Sequence, residues 1–473
     1  MRKKHVQLPL PFIYNDITNS INHQEPKFLS AIDNHIDFDH IIPREFKFAY
    51  YKCEGRRHKY RLESFIRAFI IKAFLGLTTV ASLIAVLNNS TELRNFCDFD
   101  TVPHASIFSR FLKDYCLCIE KMFNSLVDLT EPICREINSK KADYLIYDTT
   151  GIELNVTENN LKFFSAKLKQ AKKFANNNTK CNPYKLVYSL MPDKAQSNPD
   201  AKHQYINGHF CYAIKAGIVT NGLGVPRHIS IFDDDFFARH NDISIVNDDD
   251  PAKSKEIGDS TSLRPVLSDF FSIHKNLTYK TFIGDAAFDS YDNYSMLKKE
   301  FNFERICVPL NKRKGKSTAK NFDVFGTPLC PIDNSKFICL GKSSGKNRSS
   351  RIKWVCSKSV VKEGTRRLIC KQPCTNSIYG KCVYTYPDKN LRLYPGIERN
   401  TVHWDNLYRH RVCIERSINT IKDTFMLDYR KSRRTITAKA DLYLAGMIWL
   451  VAVVLAKAMS KIEYYKSIRK LAA

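Results

Sequence analysis

Residues 144–156 read YLIYDTTGIELNV, and this stretch decides the fold. Tyr144–Tyr147 and Ile152–Val156 have the β-branched and aromatic character of short strands, and Asp148-Thr-Thr-Gly151 predicts a turn between them. Upstream of Lys141 the pattern is helical. Arg61–Leu75 has helical apolar spacing, Thr78 or Thr79 can cap VASLIAVL, Ser90 can cap the next segment, and Cys116–Ile137 continues the run. Downstream, His209–Val219 and Arg227–Phe232 predict strands around an Asn221-Gly222 turn. Thr281–Gly284 predicts a strand that ends at Asp285, Arg305–Pro309 another, and Leu263–His274 and Ser290–Lys299 suit helices. The expectation is an α/β chain: an all-helical domain over 1–140, then a mixed-sheet domain over 141–473. Two stretches read as insertions in the second domain. One is Lys- and Asn-rich, at 157–207, and is expected to be loop-like; the other, at 311–400, carries six cysteines. Asp233–Asp250 reads as an acidic, irregular, solvated loop. From Asp405 the chain is helical to the end, apart from a break near Lys431–Thr435.

The chain has 473 residues, 44% of them hydrophobic, so it can bury more than one core. Lys and Arg number 74 against 48 acidic residues, a net charge of +26. That excess points to a polyanion, because each cation near a phosphate releases condensed counterions. The start, MRKKHVQLPLPF, lacks the apolar segment of a secretory signal, so the 15 cysteines are expected to be reduced thiols in a cytoplasm. The apolar run Leu442–Ala456 is shorter than a membrane span and is closely flanked by Lys439 and Lys457, so a buried core helix is expected rather than membrane association. There is no repeat of solenoid period.

Three carboxylates stand out by position. Asp148 and Asp285 lie at strand ends, and Glu415 lies on a helix. Hard oxygen ligands so placed suit Mg²⁺ or Mn²⁺. Tyr408, Arg411, Glu415 and Lys422 are spaced to fall on one face of a helix, beside an apolar stripe of Ile414, Ile418 and Ile421. Between Tyr408 and Lys439 there are nine Lys or Arg against three acids, a balance that suits a site holding phosphates as well as metal.

Tyr408-x2-Arg411-x3-Glu415-x6-Lys422 resembles the Tyr-Arg-Glu-Lys signature of bacterial insertion-sequence transposases of the Asp-Asp-Glu class. Tyr147-Asp-Thr-Thr-Gly151 and Gly284-Asp-Ala-Ala-Phe-Asp-Ser290 are similar to the family's two Asp blocks. Leu75-Gly-Leu-Thr-Thr79, Phe96-Cys-Asp-Phe99 and Ile107-Phe-Ser-Arg-Phe111 are similar to its N-terminal helical domain. The resemblance implies a ribonuclease-H-like catalytic core, with Asp148, Asp285 and Glu415 ligating two Mg²⁺ (or Mn²⁺) ions. It implies cleavage at element ends and strand transfer into target DNA. Tyr408, Arg411 and Lys422 would contact DNA, and the helical domain would bind terminal inverted repeats. A homodimer on paired double-stranded ends, in a bacterial cytoplasm on the nucleoid, is implied too. Two rivals are a Mg²⁺-dependent nuclease without strand transfer and a non-catalytic DNA-binding derivative.

Smaller signals complete the reading. Asp289 suits an N-cap for the next helix better than a ligand. Glu153 falls on the opposite strand face from Asp148 and suits a surface role. Four of Cys330, Cys339, Cys356, Cys370, Cys374 and Cys382 could hold a structural Zn²⁺, although their spacings contain no Cys-x2-Cys pair. The basic run Lys312–Lys320 could track DNA or act as a linker.

Overall fold

A computed structural model describes residues 27–52, 57–177, 182–241, 243, 257–311, 321–345, 348–431, 433–467 and 470–471. The start of the chain and the basic run Lys312–Lys320 lie outside these. The chain divides into two compact units. One comprises 1–137, 154–156 and 419–473; the other comprises 138–153 and 157–418. The second unit begins at Asn138, where the helix Cys116–Ala142 loses helical geometry (φ −164°, ψ 101°). The segment 419–473 groups with the N-terminal helices rather than with the sheet.

The first unit is helical. Thr79 caps Val80–Asn89 through the Ser82 N–H, and Ser90 caps Thr91–Phe96 through the Leu93 N–H. Leu62–Phe74 and Ala105–Asp114 meet through rings: Phe65 stacks on Phe111 with centroids 4.5 Å apart, and Phe108 meets Phe65 edge-on at 5.3 Å. Thr435–Ala458 is apolar nearly all round, and 89% of its most apolar window is buried, which makes it a core helix as expected. It is the described helix long and apolar enough to cross a membrane.

The second unit is built on a mixed sheet. Its strands are β1 (Tyr144–Glu153), β2 (Lys194–Ala195), β3 (Asn198–Ile206), β4 (His209–Asn221), β5 (Pro226–Ile231), β6 (Thr281–Ile283) and β7 (Arg305–Cys307). β4 lies antiparallel to β1, and its free edge is shared, β3 pairing its first half and β5 its second. On the other side of β1, β6 and then β7 run parallel to it. One face carries a core of Tyr147, Val219, Phe232, Leu263, Val266, Phe270, Phe282 and Tyr294. Toward the other face comes the helix Val412–Asn419. Its Ser417 hydroxyl donates to the Gly224 carbonyl (2.7 Å), in a turn where Gly224 has φ +82°.

Three expectations are corrected. β1 is one strand running through Asp148–Gly151, not two around a turn, because β4 supplies backbone partners along its whole length (Leu145↔Asn221 to Glu153↔Ala213). Residues 157–207 are not loop-like: they form helices Leu161–Asn177 and Pro183–Ser189 and strands β2 and β3. Within the acidic stretch, Asp233 caps a short helix, Asp234–Arg239, through the Phe236 N–H (3.0 Å).

The cysteine-bearing stretch folds as β8 (Ile338–Gly345), β9 (Arg348–Val355) and β12 (Cys382–Thr385) in one sheet, with β10 (Ser359–Lys362) and β11 (Thr365–Leu368) as a hairpin. Trp354 anchors it, its indole N–H donating to Thr385 Oγ1 (2.8 Å).

Candidate active site

β1 and β6 run parallel with Ile146 opposite Ile283. Asp148 and Asp285 each follow that pair by two residues, so the sheet register alone brings them side by side. Asp148 lies within β1, and its carboxylate accepts from the Thr149 N–H (2.8 Å). Asp285 follows β6 where the chain leaves the sheet, and accepts from the Ala287 N–H (2.9 Å).

Glu415 is brought to the same place through Arg411. The guanidinium contacts Glu415 Oε1 at 2.5 Å and Asp148 Oδ2 at 3.6 Å. Asp148, Arg411 and Glu415 are all only partly exposed (side chains 25%, 22% and 44%), so the cluster is open to a ligand. Burial pushes the Asp148 carboxyl up to about 6; the Thr149 N–H and Arg411 oppose this, while Asp259 and Asp285 add to it. Burial also works against the Arg411 charge, but Tyr408, Glu415, Asp148 and Asp285 outweigh it and hold the guanidinium more firmly protonated than usual. Burial raises the Tyr408 phenol, with Arg411 opposing, and its ring stacks on Trp404 at 4.9 Å.

Tyr408, Arg411 and Glu415 are thus together, but not on one uniform helix. The path is α-helical over Val402–Tyr408, 3-10 over Arg409–Arg411, α-helical over Val412–Asn419 and π-helical over Thr420–Thr424. Lys422 is in the π turn, is buried, and belongs to the first unit. A π turn takes more residues than an α turn, so uniform 3.6-residue spacing does not carry past it.

Sequence spacing missed the groups behind Asp148. The next residue, Thr149, donates to Asp259 Oδ1 (2.6 Å), and the same oxygen receives Lys215 Nζ (2.5 Å), tying β1 and β4 to the helix Asp259–Ile273. No periodicity could show this, since 110 residues separate the first pair. Asp289 is not the cap: Ser290 caps Tyr291–Lys299 instead. The fully buried Asp289 carboxylate takes a bidentate contact from Arg392 (2.9 and 2.7 Å), the Asn311 N–H (2.7 Å) and the Tyr294 hydroxyl (3.2 Å). Desolvation opposes its charge, but Arg392 and Asn311 overcome it and hold the carboxyl below its ordinary range.

Of the six cysteines in the second insertion, Cys330 and Cys374 pack together beside Phe337 and Trp354. Cys339 faces Glu398, Cys370 donates to the Gln372 carbonyl, Cys356 is buried after β9, and Cys382 is exposed on β12. Among the described residues, none of the six belongs to a group of three ligand atoms lying within 4.8 Å of one another. The thirteen described cysteines form no disulfide.

Residues 17–114 match a family model described as Transposase domain (DUF772). The match covers most of the helical N-terminal region and supports a transposase. No curated protein matches the chain.

Proposed function

We propose that the chain is a DNA transposase of the Asp-Asp-Glu class with a ribonuclease-H-like core. The observation that carries this reading is the meeting of Asp148 and Glu415 on Arg411, with Asp285 beside them by strand register, in a chain whose N-terminal region matches a transposase domain. The strand order β5-β4-β1-β6-β7, three antiparallel strands followed by two parallel ones, supports the core assignment.

Asp148, Asp285 and Glu415 would hold two Mg²⁺ or Mn²⁺ ions, a fit that rests on three partly exposed carboxylates offering only oxygen donors. Bound there, the ions supply activation of an attacking oxygen and stabilisation of a leaving oxygen at a DNA phosphodiester. The chain's own residues do the rest. Arg411 holds two of the carboxylates apart from like-charge repulsion, and it offers a planar fork to a phosphate when DNA arrives. Tyr408, stacked on Trp404, presents an aromatic face and a hydroxyl to the DNA end. The helical unit reads the terminal inverted repeats. Two copies act on paired ends on the bacterial nucleoid.

The test is cleavage of duplex DNA carrying the sequences that flank the gene. With Mg²⁺ the wild type should cut at the element end. Asp285→Asn should leave cleavage at background while binding the same DNA almost as tightly. Undiminished cleavage by that variant would overturn the catalytic assignment.

A further inference from the structure

A second cluster of ligand-type side chains lies on the same sheet, on the face opposite Asp148. Glu153 ends β1, and His209 and Cys211 begin β4. Strand alternation puts His209, Cys211 and Ala213 on one face, and Glu153 pairs with Ala213, so all three ligand-type side chains share that face. A carboxylate oxygen, an imidazole nitrogen and the Cys211 Sγ lie within 4.8 Å of one another. His209 Nε2 is 2.9 Å from Glu153 Oε1.

The backbone is built to hold them there. β3 and β4 join through Asn207-Gly208, both with positive φ (56° and 86°), a tight hairpin turn. The Asn207 amide clasps the backbone of Gly151, accepting from its N–H (3.2 Å) and donating to its carbonyl (3.1 Å). A Cβ at Gly151 would come within 2.7 Å of Ile206, so glycine is what allows the hairpin to close against β1. The clasp fixes the start of β4 against the end of β1.

We propose that Glu153, His209 and Cys211 form a Zn²⁺ site, separate from the carboxylate cluster, with solvent as the fourth ligand. One thiolate, one imidazole and one carboxylate are a zinc-type set, whereas Mg²⁺ takes oxygen ligands. Ligands about 2.0–2.3 Å from one tetrahedral ion lie roughly 3.3–3.7 Å apart, a spacing small side-chain adjustments reach from this arrangement. Cys211 is buried at the inner end and His209 is exposed at the outer end, which leaves an open position toward water. On binding, the Cys211 thiol passes its proton to solvent and the S–Zn bond replaces S–H. The ion clips the β3–β4 hairpin to the strand that carries Asp148. It is structural, and the inference does not depend on the DNA chemistry.

The test is Co²⁺ titration of the full-length protein after chelator treatment, because a thiolate on Co²⁺ gives an intense charge-transfer absorption that a carboxylate site lacks. The wild type should show one such site per chain, displaced by Zn²⁺. Cys211→Ser should lose the absorption. His209→Ala, at an exposed position, should fold and bind Zn²⁺ more than about tenfold more weakly. Asp285→Asn and Cys330→Ser should keep the signal. Absence of the absorption in the wild type, its persistence in Cys211→Ser, its loss in Cys330→Ser, or wild-type affinity in His209→Ala would each overturn the proposal. Should Cys211→Ser fail to fold, His209→Ala decides.

Discussion

Asp148 carries opposing demands. Its carboxyl is held at about 6 by burial, against an ordinary value of 3.8, so ionising it costs the folded chain free energy. The unfolded chain gives up this proton near pH 4, while the folded chain keeps it until about 6. Rising pH therefore erodes metal-free stability across that window, and the loss persists above it. Asp148→Asn removes that loss. In the presence of chelator it should be more stable than wild type at neutral pH by on the order of 1–3 kcal/mol, the gain being limited by the weakened contact with Arg411. The difference should fade toward pH 4 in thermal melts. Equal or lower stability of the variant at pH 7 would contradict the burial argument. Asp289 should behave in the opposite way. Its removal strands Arg392, so Asp289→Ala should cost about 3 kcal/mol in urea unfolding at neutral pH. Stabilisation by Mg²⁺ should survive in it, since Asp289 is a structural anchor; loss of the Mg²⁺ effect with unchanged stability would instead make it a ligand.

At the scale of elements, the turn between β4 and β5 positions the helix that bears Glu415. Gly224 has φ +82°, and a Cβ there would stand 3.1 Å from Ser417 Oγ. Gly224→Ala should therefore cost about 1–2 kcal/mol and lower activity, through displacement of that helix. An unchanged melting temperature would show the turn to be more forgiving. Much of this level is legible in the sequence. The caps Thr79 and Ser90, the Asn221-Gly222 turn and the strand leading to Asp285 all rest on local chemistry. The continuity of β1 was not legible, because Asp-Thr-Thr-Gly favours a turn until a neighbouring strand pairs its backbone. The helix Leu161–Asn177 was hidden for a different reason: most of its surface stays wet, so its Lys-rich composition resembles a loop. Asp289 could not be read at all, since its partner Arg392 is 103 residues away.

For the whole molecule, Asp148, Asp285, Tyr408, Arg411 and Glu415, singled out in the sequence, lie together in the unit that contains the sheet. The sequence did not foresee that 419–473, with Lys422, would group with the N-terminal helices, because the apolar helix Thr435–Ala458 carries no mark of which core it joins. The net charge of +26 suits a polyanion partner such as the DNA proposed above. The central claim is that the three carboxylates together perform DNA strand chemistry. Its most direct test supplies duplexes already cut at the element end, with a free 3′-hydroxyl, together with a supercoiled target plasmid and Mg²⁺. The wild type should join end to target, whereas Asp148→Asn, Asp285→Asn and Glu415→Gln should each bind the cut end without joining it. Joining at the wild-type rate by any of the three, or cleavage without joining by the wild type, would contradict the account.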